Sequence, residues 1–212
     1  MSALLELWEV LKATLWKVKM TAKKRTVGRS FVEFVFMIHM HEVSHLLELA
    51  KRQKQRRDQE IICRAAIVFL VAVWQTYVEA IVDDITTVPD EGGPFPGKGA
   101  RLSTPNVEQI NRLFKKQLRI EAISHSWKWR GMTADHSARK LDKLMKLRHQ
   151  FAHKARGAVI RPSEALQYTD FVHRLAVCTF NALLPHLTRM RGQSLSSMKY
   201  EGIVGRLSPS LV

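Results

Sequence analysis

Apolar residues return every three or four positions along most of this chain, and no run alternates long enough to make a strand. Phe31, Phe34, Val35, Ile38, Leu46 and Leu49 keep the spacing of one helix, which ends in the basic stretch KRQKQRR. Asp58 offers a cap to a second helix running to about Ile85. That helix is apolar nearly all round, which marks it for the centre of a bundle. The stretch TTVPDEGGPFPGKGARLSTPN is rich in Pro and Gly and reads as a long loop. Thr104 as N-cap and Pro105 as first helical residue predict a third helix to about Ile120, with Val107, Ile110, Leu113, Phe114 and Leu118 on one side. AISHSWKWRGMTAD is irregular. A fourth helix from Ser137 carries Leu141, Leu144, Met145, Arg148, Phe151, Ala152 and Ala155 on one stripe, and Gly157 supplies a stop. Pro162 opens the last long helix, which passes Leu166, Phe171, Leu175, Thr179 and Leu183 and ends at Pro185.

The pattern predicts an all-α chain: a bundle of four to five main helices with a long loop insert and an N-terminal helical extension. Residues 1–30 form a basic amphipathic extension, residues 31–190 the helical domain, and residues 191–212 a Ser- and Gly-containing flexible tail. A length of 212 residues fits one such domain plus extensions.

Charge adds a partner class. Lys and Arg number 34 against 19 Asp and Glu, a formal net charge of +15. Such a bias favours polyanions, nucleic acid before anionic membrane. The stretch MSALLELWEVLKATLWKVKM keeps helical spacing at Leu4, Leu7, Trp8, Leu11, Leu15 and Val18, and carries acids rather than a basic lead before them, unlike a signal peptide. It reads as a helix that docks on the domain, with a membrane-surface helix as the alternative. The uncharged part of the central helix runs only from Ala65 to Val78, too short to span a bilayer, so no stable membrane insertion is expected. Cys63 and Cys178 lie in apolar helical stretches without a CxxC and read as reduced core residues of a cytoplasmic protein.

Two stretches carry candidate chemistry. HEVSH, His41 to His45, matches HExxH, which on a helix places two zinc-ligating histidines on one face with Glu42 as general base. Its context argues against a metallopeptidase: Glu48 and Lys51 stand where an extended zinc motif needs Gly and His, and no strand is expected along a cleft wall. No metal is therefore assigned. No P-loop, GxGxxG or serine nucleophile elbow is present.

The second stretch is RHQFAH, Arg148 to His153, on a helix crowded with Arg139, Lys140, Lys143, Lys146, Lys154 and Arg156. These cations suit a phosphate backbone, with Lys146, Lys154 and Arg156 nearest the hexapeptide. Trp127 and Trp129, interleaved with Lys128 and Arg130, are either base-stacking platforms or core packing for the irregular segment. Arg148 lies on its helix's apolar stripe, an expensive place for a charge unless it meets a carboxylate such as Glu79 or faces a cleft or subunit interface. On an ideal helix His153 sits roughly 140° around from Arg148 and about 7.5 Å along the axis.

RHQFAH resembles the Rx4-6H motif of the HEPN superfamily, in which a polar residue commonly follows the arginine, as His149 does here. RAAIVFLVAVWQTYVEAIV looks like the central helix of the RiboL-PSP-type HEPN proteins, SWKWRGM like their Ser-Trp-x-Trp insert, and LDKLMKLRHQFAHKA like their motif helix. Gln75 departs from the acid expected in WQTYVE. The resemblance covers about residues 31 to 185. It implies a HEPN-like helical bundle, a homodimer with two motifs facing one cleft, and a metal-independent endoribonuclease of a toxin–antitoxin or antiviral defence system. It implies no cofactor, RNA as substrate, and an antitoxin or other defence-system protein as partner. Carried over, Arg148 would hold the scissile phosphate and His153 would be the general acid/base, with His149 and Glu79 in support. Some members keep the fold and lose activity, so the first alternative is a non-catalytic RNA-binding or assembly module; a zinc metallopeptidase using His41, Glu42 and His45 is the lesser one.

Overall fold

The computed structural model describes residues 31–86, 101–153 and 159–191, and among them the chain is all-α, with five helices and no strand. They are α1 (Phe31–Arg52), α2 (Arg56–Thr86), α3 (Val107–Leu118), α4 (Ala134–His153) and α5 (Pro162–Arg191). The N-terminal extension, most of the long loop, the Gly157 stop and the C-terminal tail lie outside the described residues.

The helix ends differ from the sequence pattern by a few residues, and local hydrogen bonds explain how. Asn106, not Thr104, caps α3: its side chain accepts the Gln109 N–H at 2.9 Å, and asparagine is among the best N-caps. The Gln109 side chain reaches back to the Thr104 N–H and the Ser103 hydroxyl, so Thr104 serves the approach to the helix. Arg119 ends α3 early by turning left-handed, φ 60°. Helix α4 starts at Ala134, three residues before Ser137, with the Thr133 hydroxyl accepting the His136 N–H at 3.3 Å. Asp58 lies inside the first turn of α2, where its charge suits the helix dipole. Pro185 does not end α5; the proline forgoes one backbone bond and the helix continues to Arg191.

Helix α2 packs against each of the other four helices. Its buried residues include Cys63, Ile67, Leu70, Trp74, Tyr77, Val78, Ile81 and Ile85. By length and composition it is apolar enough to cross a membrane, but half of that apolar window is buried within this bundle. The Tyr77 hydroxyl donates to the Ala176 carbonyl of α5 at 3.0 Å, which satisfies a phenol buried beside Phe36. Cys63 is buried; Cys178 is only half-buried, its thiol 3.8 Å from the Lys128 carbonyl, so one of the two expected core cysteines sits at the edge of the core. Both thiols are free, and burial is the main cause that pushes each above its ordinary pKa.

The stretch between α3 and α4 is irregular but tightly tied. It holds one 3-10 turn, Ile123–Ser126, whose Ser124 exchanges two hydrogen bonds with the side chain of Asn111 on α3. Trp129 and Met132 then pair through both backbone hydrogen bonds around a tight turn. Gly131 takes φ +81° there; the space around it is open, so backbone conformation rather than room calls for glycine.

Trp74 is wholly buried where α2, α5 and the 3-10 segment meet, stacked on Tyr77 and edge-on to Trp127. Trp74→Ala should lower unfolding free energy by about 3–5 kcal/mol, read by chemical denaturation; a loss within about 1 kcal/mol would show this is not the keystone of the core.

Candidate active site

The stripe of α4 changes character along its length. Leu141, Leu144 and Met145 are buried against the bundle. One turn on, Arg148 is half-buried, and Phe151 only partly covered. The arginine thus sits where the stripe emerges from the core. Among the described residues no carboxylate forms an ion pair with it.

Glu79, the expected partner, is engaged elsewhere. Its Oε1 accepts the Leu102 N–H at 2.7 Å and the Gln75 amide at 3.0 Å, while the same Gln75 nitrogen donates to the Leu102 carbonyl at 2.7 Å. Gln75 and Glu79 therefore clamp both backbone groups of Leu102, where the chain returns from the long loop. The glutamine standing in place of an acid supplies the donor that a second carboxylate would lack.

A second cation does approach the motif helix, and the sequence pattern had marked it only as the edge of the apolar run. Arg64 of α2 places its guanidinium 5.8 Å from the centre of the Phe151 ring. Glu60 is its loose ion-pair partner at 3.9 Å, and its Nε is buried without a hydrogen-bond partner among the described residues. An arginine immediately before the uncharged run of α2 was the available signal. Arg64 and Arg148 thus lie on facing helices near one end of the bundle.

Lys146 is exposed on α4 and His149 is exposed beside Arg148. Helix α4 continues through His153, so the helical offset between Arg148 and His153 applies to the backbone. The His153 side chain, Lys154 and Arg156 lie outside what is described.

Trp127 needs correction as an RNA-binding residue. Trp127 is 0 % exposed, its indole N–H donating to the Thr179 hydroxyl at 2.9 Å and its ring set edge-on to Trp74. No face is left for a base. Trp129 is half-buried, tilted against Phe171, with the Arg174 guanidinium 5.9 Å from its centre. The W-x-W pair is core packing and its edge.

At HEVSH, His41 and His45 are exposed, and Glu42 pairs with His39 at 2.9 Å. Among the described residues no three His, Cys, Asp or Glu side chains converge as a metal site. Comparison of the chain with protein-family models, with curated proteins and with solved structures gave no match.

The clamp makes a separable prediction. Glu79→Gln should speed hydrogen exchange at the Leu102 amide while leaving amides in the middle of α2 protected; unchanged exchange at Leu102 would remove the clamp.

Proposed function

We propose that the chain is a HEPN-type endoribonuclease, acting as a homodimer in the cytoplasm, in a toxin–antitoxin or antiviral defence system. The observation that carries this reading is Arg148: a half-buried arginine on the motif helix, with no carboxylate ion pair among the described residues, at the point where the apolar stripe leaves the core. A cation in that position is available to an anionic substrate. The net charge of +15 and the quoted HEPN-like stretches support the same class.

In this reading Arg148 holds the scissile phosphate and stabilises the charge that develops on it. His153 acts as general acid/base: the ribose 2′-OH attacks phosphorus, the 5′-oxygen leaves, and a 2′,3′-cyclic phosphate remains. The imidazole suits this role near neutral pH. The angular separation of Arg148 and His153 on one helix favours a cleft to which two protomers contribute. No metal or cofactor enters the proposed chemistry.

A second reading, a non-catalytic RNA-binding module, is favoured by one observation. Gln75 and Glu79, the polar residues of the HEPN-like WQTYVE stretch, are spent on Leu102.

Incubating total RNA with the protein in EDTA and mapping the ends separates the two. Under the ribonuclease reading, His153→Ala keeps its thermal melt and loses cleavage by about 10²- to 10⁴-fold. Arg148→Ala should lose at least as much. Undiminished cleavage by His153→Ala sinks the ribonuclease assignment; wild-type binding without cleavage selects the binding module.

A further inference from the structure

The first half of α4 carries a second cationic cluster that the motif does not use. His136, Arg139, Lys140 and Lys143 recur at helical spacing on one face. With Glu164 and Tyr168 of α5 and the Gly131–Met132 turn, they line a cavity of about 500 Å³.

The charges there are held rather than neutralised. The Lys140 ammonium stands 4.9 Å from the centre of the Phe171 ring and 5.7 Å from that of Tyr168. Two aromatic faces fix a cation without cancelling it. Burial pulls the Lys140 ammonium below its ordinary pKa, with Asp170 acting the other way. Asp170 is already engaged by Arg174 at 2.9 Å. Among the described residues, none of the four basic side chains has a carboxylate ion pair. Among the described residues Glu164 is the one carboxylate lining the cavity, with two lysines and an arginine in the same lining. A partly desolvated cluster of this sign is stabilised by an anion.

We propose that this cavity is a phosphate-binding site, and that it seats a phosphodiester of the RNA strand away from the scissile link. The RNA part rests on the function proposed above; the phosphate part does not. Phosphate is an acceptor-only anion matched to Lys and Arg donors. Lys140 lies about 12 Å along the helix axis from Arg148, so a strand held at one end of α4 passes within reach of the other. A free phosphorylated small molecule offers the same chemistry, and the test distinguishes the two.

The full chain is used throughout, in EDTA and on a His153→Ala background so that cleavage does not interfere. Anisotropy gives the Kd of a short single-stranded RNA across a salt series, and calorimetry follows inorganic pyrophosphate. Arg139 and Lys143 are exposed, so Arg139→Glu and Lys143→Glu should leave the thermal melt in place. Each should weaken RNA binding about tenfold and flatten the salt slope by about one. Glu164→Gln should tighten binding instead. Arg57→Glu, the same charge change at an exposed position beyond the cavity, should alter Kd by less than about twofold. Pyrophosphate binding lost in Lys143→Glu with RNA affinity unchanged keeps the site and reassigns it to a free phosphorylated ligand. Equal losses in Arg57→Glu and Lys143→Glu, or RNA and pyrophosphate binding untouched by both cavity reversals, overturn the proposal. Affinities that follow the prediction while the wild type cleaves no RNA leave the site standing and remove the ribonuclease reading.

Discussion

A helix of 31 residues with a long apolar run through its middle must bury much of that run. The rest of the bundle follows from meeting that demand around α2. Helices α1, α4 and α5 lie along it, α3 and the 3-10 turn close what is left, and the largest side chains of the core gather at Trp74, Tyr77 and Trp127. Two polar groups drawn inside with these rings find partners across the layers: the Tyr77 hydroxyl on Ala176 and the Trp127 indole on Thr179. Each bond contributes only about 1 kcal/mol, yet leaving either donor unmet would cost about as much or more, so both fix the register of α5 against its neighbours.

Covering α2 also decides where chemistry has room. Residues that face it are committed to packing, whatever their type, which is why a tryptophan flanked by lysine becomes core. Charged side chains collect where the covering stops. On α4 there are two such places. One is the emergence of the stripe at Arg148, with Arg64 opposite on α2; the other is the flank from His136 to Lys143, facing the start of α5. Both are rich in cations and poor in acids: α4 carries five Lys and Arg against Asp135 and Asp142.

Most of the helical layout was legible in the sequence because spacing alone encodes it. The central place of α2 and the buried start of the α4 stripe, Leu141, Leu144 and Met145, could be read from spacing. The ends were less legible, since Asn106 and Thr104 are both acceptable caps and only the fold chooses between them. Trp127 and Trp129 differ by two positions and look alike in the chain; their depth depends on Thr179, Trp74 and Phe171, which lie far away in sequence. Glu79 was misassigned as a partner for the same reason: its hydrogen-bond donor, the Leu102 amide, is 23 residues distant across the loop. The motif residues themselves were easy to name. Their convergence was not, because two positions about 140° apart on one helix do not share a face.

The Leu102 clamp has a further consequence for how this chain can vary. One end of the long loop is the end of α2 at Thr86; the other is stitched to Gln75 and Glu79 of that same helix. Both ends of that segment are thus anchored on one helix. Doubling the length of a segment so anchored adds only about 0.6 kcal/mol of closure entropy. The bundle therefore offers a splice point at which foreign sequence, natural or engineered, can be accommodated without re-registering the helices.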